Sequence, residues 1–391
     1  MRSANHSSKS TSAISQRRPR SWRALAFVLS LETFSLGAQA RPTCEDLFSH
    51  RIEATRQSGR AVQARRLILE GGRSLSLDYL PAEPGQPTLM LMPGAISPVS
   101  AEHPAFQALG KTGLGIVSFA LSHQPRSLKD AEAAGLRAVE RDQISIESLV
   151  AETESVRRHF RQAGVDLIPV SLSFTGAITP RLVNAPRIIE MVPMTSADST
   201  SVTGSAFRQQ LMAAAAWNPF FGQQIARQQL AMSYRSYWQS VVDGMIRHQS
   251  YPADRREAML DAYVKQSQAI EGFQWKASDL SRSTQRSFIL AGQESRSLLK
   301  HQLQTLLEMI EAGHQPSVIL VKGVEHNIPS SQPELYARLL SWVATHPHLD
   351  GLYIFDGATG GIQQIARASM QTQLRAWESA LESSDRPADL P

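Results

Sequence analysis

The sequence holds one cysteine, Cys44, among 391 residues, so no disulfide can form within the chain and its stability must come from packing. No group of His, Cys, Asp and Glu has metal-ligand spacing. The Gly-rich stretch Asp356-Gly-Ala-Thr-Gly-Gly361 matches neither a phosphate loop nor a dinucleotide fingerprint and reads as a tight connection. No cofactor is expected.

Charge of one sign is also lacking once the first forty residues are set aside. Arg17, Arg18, Arg20 and Arg23 precede the apolar segment 24–31, which continues to the small-x-small pattern Ala38-Gln-Ala40. That pattern predicts a secretory signal peptide over residues 1–40, with a periplasmic or secreted product. The segment is short for a membrane span and carries Glu32, so no stable span is expected. The leader contains six basic residues and one acid, so the net charge of +5 falls to zero without it. A neutral mature chain gives no electrostatic footprint for nucleic acid. Arg41-Pro-Thr before Cys44 lacks the small apolar residues of a lipid-attachment signal.

What the chain does have is a series of buried-strand signatures. After a polar segment 41–65, expected to be helical, 67–70 and 74–80 flank Gly71-Gly72 and predict an antiparallel hairpin at a sheet edge. Runs at 88–92, 115–121, 167–170, 187–192, 287–291 and 317–321 are nearly all apolar, as strands covered on both faces require. Ile146, Leu149, Val150, Thr153, Val156 and Phe160 recur at helical spacing, as do Leu335, Leu339 and Leu340, which predicts helices between strands and hence an α/β fold with a mostly parallel sheet. The helix-rich, aromatic stretch 196–285, with Trp217, Trp238 and Trp275, reads as a helical cap inserted into a core of 66–195 and 286–380. Leu352-Tyr-Ile-Phe355 reads as a further strand, a helix runs on to about 379, and 383–391 is expected to be disordered.

The chemistry concentrates in one segment, Asp166-Leu-Ile-Pro-Val-Ser-Leu-Ser-Phe-Thr-Gly176. A buried strand ending in small residues around Ser173 resembles a nucleophile elbow, where a serine at a sharp strand-to-helix turn needs small neighbours two positions away. Those neighbours are Ser171 and Thr175 rather than glycines, so the pattern is imperfect. Pro93-Gly-Ala95 follows an upstream strand, and the backbone N–H groups of Ala95 and Phe174 are candidate oxyanion donors. Downstream, Gly323-Val-Glu-His326-Asn-Ile-Pro follows the last buried strand and places His326 at the same sheet edge as Ser173, as a base. The other histidines, His103, His123, His159 and His314, read as solvated.

In this order, the turn at Pro93, the elbow at Ser173 and the loop at His326 resemble the α/β-hydrolase superfamily over 67–342. The resemblance implies a Ser-His-acid triad, an acyl-enzyme and a carboxylic-ester substrate of small-molecule or lipid-like type. It also implies an acid on the loop after the next-to-last strand, where Ala291-Gly-Gln-Glu-Ser-Arg296 offers Glu294 one residue before the usual position. Asp198, on the loop after the preceding strand, is the alternative, and Glu325 is discounted as a neighbour of His326. A hydrolase-like binding protein without catalysis, and an acyltransferase or amidase of the same fold, are the competing readings.

Overall fold

The computed structural model describes residues 60–69, 73–95, 98–133, 135, 144–194, parts of 235–247, 253–271, 285–292, 296–357 and 359–383. The leader 1–40, the segment 41–59, most of the expected cap, the tail 384–391, Asp198 and Glu294 lie outside them.

Among the described residues, ten strands form one sheet: β1 Gln63–Ile68, β2 Ser74–Leu80, β3 Thr88–Leu91, β4 Gly115–Phe119, β5 Leu167–Leu172, β6 Arg187–Met191, β7 Gln285–Ala291, β8 Ser317–Lys322, β9 Leu352–Asp356 and β10 Ile362–Ile365. Their order is β1-β2-β4-β3-β5-β6-β7-β8-β9-β10. From β4 through β9 all pairings are parallel, whereas β1–β2, β2–β4 and β9–β10 are antiparallel. The parallel strands are the apolar runs of the sequence, and the alternating segment 74–80 is the outer hairpin.

Helices cover both faces, which is why these strands are apolar on both sides. Along β3, Met90 and Leu89 point to opposite faces, as do Leu320 and Ile319 along β8, so each strand feeds two cores. On one side lie α3 Ile146–Gln162, α5 Arg296–Glu311 and α7 Arg367–Ser383; on the other lie α1 Pro104–Gly110 and α6 Pro333–Thr345. α2 Pro125–Ala133 packs against β2. Each start is written locally. Ser145 and Ser148 bond reciprocally across the first turn of α3, and His103 Nδ1 accepts from Ala105 N–H ahead of Pro104 in α1, relieving amides that have no partner within the helix.

Two segments differ from expectation. β1 begins at Gln63, so the helix expected to reach Arg65 is already strand there; the residues pair with β2 from Gln63↔Tyr79 onward, and that pairing overrides local helical preference. Between the glycine cluster and α7, Ile362–Ile365 form edge strand β10 against β9, where continuous helix is expected from the sequence.

Within 235–271 the described residues are helical: α4 Arg256–Glu271, the turn Ala253–Arg255 and shorter helical stretches within 235–247. Trp238, Val242, Met259, Leu260 and Tyr263 form a small core of their own, with Ala95 packed against it. Trp238 stacks on Tyr263 at 4.7 Å. Among the described residues, no helix is long and apolar enough to cross a membrane.

Since β3 to β9 run in one direction, the loops after them all leave one edge of the sheet. The strand order reverses around β3, which lies between β4 and β5. A crevice at such a reversal is where open α/β sheets place their ligands.

Candidate active site

β5 ends at Leu172, and the next residue, Ser173, adopts φ 52°. A residue with a Cβ rarely occupies this left-handed region, at a cost of about 1–3 kcal/mol when the surroundings hold it there. The chain then closes into a tight helical turn, Ser173–Ala177.

Three contacts hold the turn. Thr175 Oγ1 accepts the Leu172 N–H at 2.9 Å and lies 3.2 Å from the Leu172 carbonyl, to which its hydroxyl donates. The Ser173 carbonyl accepts the Met194 N–H at 2.8 Å. Gly176 lies against the chain leaving β6, where a Cβ would stand 2.5 Å from Pro193 Cβ. The requirement for a small residue thus falls on Gly176, and Thr175 acts as a clamp. Val192, just before Pro193, has φ 39°, an outlier for a β-branched residue that turns this segment along the elbow.

Beneath the elbow lies a buried polar network. Ser171 Oγ donates to Glu190 Oε2 at 2.5 Å, Thr179 Oγ1 donates to Glu190 Oε1 at 2.7 Å, and Arg286 Nη1 donates to the same Oε1 at 2.5 Å. Burial pushes the Glu190 carboxyl up, and Arg286 with the two hydroxyls pulls it back. Ser171 is therefore committed to Glu190 and fully buried.

His326 stands on the loop after β8, beyond Gly323, which has φ 70°. Its Nε2 is 2.7 Å from Ser173 Oγ. Burial lowers its pKa from 6.5 to about 4, so the ring is neutral at pH 7. A neutral imidazole at hydrogen-bond distance can take the hydroxyl proton as the serine attacks. Glu325 is exposed.

The turn after β3 completes this edge. Ala95 is half-buried beside the elbow strand's neighbours, and Phe174 is fully buried in the core beneath. Met92 N–H donates to Val170 O at 2.9 Å, which ties the start of this turn to the elbow strand. Among the candidate residues, Ser173 and His326 meet directly, while Glu294 and Asp198 lie outside the described residues. Gln124, Gln266 and Glu190 also contact this edge and are not singled out by the sequence. The signal for the first was the polar run Ser122-His123-Gln124 placed immediately after an apolar strand. His123 corrects an expectation: it is 1% exposed rather than solvated, with Nε2 2.6 Å from Gln266 Oε1, and burial lowers its pKa to about 4. Its loop folds inward because α4 covers it and supplies the partner.

A parallel sheet in the order 2-4-3-5-6-7-8 with an antiparallel second strand, a left-handed serine after β5 and a histidine after β8 are now all in place. The chain has the α/β-hydrolase fold.

Within that fold its sequence is far from the proteins it resembles. No protein-family model matches the chain, and no curated protein matches it in sequence. Among solved structures it is similar to a thermostable carboxyl esterase from Bacillus coagulans, at 9% identity and TM-score 0.46 over 73% of this chain and 98% of that one. It is similar to a hypothetical protein from Pseudomonas aeruginosa, at 7% identity and TM-score 0.49 over 75% and 95%. A thermophilic esterase from Thermogutta terrifontis matches at 11% identity and TM-score 0.43 over 72% and 98%. The chain's own strand order and elbow define the fold.

Proposed function

We propose that this α/β-hydrolase-fold protein is an exported serine hydrolase that cleaves carboxylic esters of moderately apolar, small-molecule or lipid-like type. The observation that carries the reading is the 2.7 Å approach of His326 Nε2 to Ser173 Oγ at a strained turn.

In this reading Ser173 Oγ attacks the ester carbonyl carbon as His326 Nε2 takes its proton. The carbonyl oxygen becomes an oxyanion facing the N–H groups of Ala95 and Phe174. Collapse of the tetrahedral adduct breaks the bond to the leaving alkoxide, which receives the proton from His326 and departs as the alcohol. Water, deprotonated by His326, then attacks the acyl carbon, the bond to Ser173 Oγ breaks, the carboxylic acid leaves, and Oγ takes its proton back from His326. A carboxylate holds the imidazole tautomer and stabilises the imidazolium. Glu294, on the loop after β7, is preferred for that role over Asp198, on the loop after β6. The helical segment between β6 and β7 is the cap that shapes the acyl pocket, and no cofactor takes part.

Hydrolysis of p-nitrophenyl butyrate tests the reading. Turnover by the wild type that is lost in a folded Ser173→Ala variant supports it, whereas equal turnover in both excludes Ser173 as the nucleophile. Export through the leader predicts that N-terminal sequencing of the exported protein begins at Arg41, and an intact leader there would contradict it.

A further inference from the structure

Two glutamines hold consecutive carbonyls of the turn after β3. Gln124 Nε2 donates to the Gly94 carbonyl at 3.0 Å, and Gln266 Nε2 donates to the Ala95 carbonyl at 3.2 Å. Both side chains are buried, at 0% and 1% exposure.

The direction of each amide is decided by its other partner. Gln124 Oε1 accepts the Leu121 N–H at 3.0 Å, and a backbone N–H can only donate, so the amide nitrogen must face Gly94. A carbonyl can only accept, so Gln266 must turn its nitrogen toward Ala95 and its oxygen toward His123 Nε2, 2.6 Å away. His123 therefore carries its proton on Nε2 and donates it to Gln266. The adjacent residues His123 and Gln124 thus serve the same turn, one through Gln266 and the other directly.

The consequence follows from peptide planarity. The carbonyl of Gly94 and the N–H of Ala95 belong to one trans peptide and point in opposite directions. Glycine at 94 leaves that peptide the freest in the turn to rotate. A bond from Gln124 to the carbonyl fixes the opposite face, where the N–H emerges. Gln266 holds the following carbonyl and so pins Ala95 from its other side. Because Gln266 stands on α4, between β6 and β7, one of the two anchors comes from the inserted segment.

We propose that Gln124 and Gln266 are positioning residues that set the Ala95 N–H for the oxyanion, so that the inserted segment, through Gln266, helps to assemble the oxyanion hole. The inference rests on the reading of Ala95 as an oxyanion donor. It makes the seating of α4 a condition for catalysis as well as for substrate fit.

The test compares the wild type with Gln124→Met and Gln266→Met, each shown to be folded by circular dichroism and thermal melting. The readouts are kcat and KM for p-nitrophenyl butyrate and inhibition by an alkyl trifluoromethyl ketone, whose serine adduct places an oxyanion in the hole. Outright loss of one oxyanion donor costs about 10²–10³ in kcat. A misaligned donor is expected to lower kcat by about ten- to a hundredfold, to weaken the ketone by a similar factor, and to leave KM within about twofold, the signature of lost transition-state binding. Gln266→Met keeps the test open should Gln124→Met fail to fold. Folded variants with wild-type kcat and ketone affinity, even at a lowered melting temperature, would overturn the inference and leave the catalytic reading intact. A wild type without Ser173-dependent turnover would overturn the catalytic reading and the inference with it.

Discussion

Thr175 Oγ1 accepts the Leu172 N–H at 2.9 Å across the turn that carries Ser173. A residue that breaks the G-x-S-x-G spacing therefore does structural work that glycine lacks. Thr175→Gly, which restores the glycine of that pattern, should destabilise the protein by about 1–2 kcal/mol, through a lost hydrogen bond and added chain freedom. Urea unfolding checks this, and a gain in stability would contradict it.

Gly176 is the position that must stay small. Gly176→Ala puts a methyl against Pro193 Cα and Cβ, and backbone on one side cannot yield cheaply. Overpacking of this kind costs about 1–3 kcal/mol. The elbow shifts with it, so kcat for p-nitrophenyl butyrate should fall along with the urea midpoint.

Glu190→Ala leaves Arg286 buried without its carboxylate and removes the acceptor of the Ser171 hydroxyl, while Thr179 keeps the Gly176 carbonyl. Breaking one side of a buried ion pair costs about 3–5 kcal/mol. Differential scanning calorimetry should show a larger loss than Thr175→Gly or Gly176→Ala produces.

The pH dependence follows from two buried imidazoles. His326 and His123 both have folded pKa values near 4, lowered by burial from 6.5. Between these values the unfolded chain binds protons that the folded chain does not, so stability should fall as pH drops from about 6.5 to about 4 and level off below that. On the activity side, His326 is neutral above about pH 4, so kcat/KM should hold steady from neutral pH downward and fall only as pH passes through about 4. A limb at the ordinary histidine value of about 6.5 would show that a carboxylate behind His326 offsets the desolvation of the ring.

The sheet was legible because parallel strands buried on both faces must be apolar, and 88–92, 167–170 and 317–321 are. Ser173 and His326 were legible because strand ends at one sheet edge bring their loops together. Four things were not. β10 is short, exposed and set by pairing with β9, which no local pattern reveals. His123 sits in a polar tripeptide that looks solvated until α4 covers it, and Gln266, more than a hundred residues away, shows no local sign of reaching Ala95. The buried role of Ser171 depends on Glu190 across a strand pair, so its hydroxyl could be assigned only once the register Ser171↔Glu190 was known.

The most direct measurement of the central claim is labelling with a fluorophosphonate followed by peptide mass spectrometry. The account predicts a single adduct on Ser173, absent in Ser173→Ala and strongly slowed in His326→Ala. Folded wild-type protein that takes no label, or a label that persists in Ser173→Ala, would contradict it.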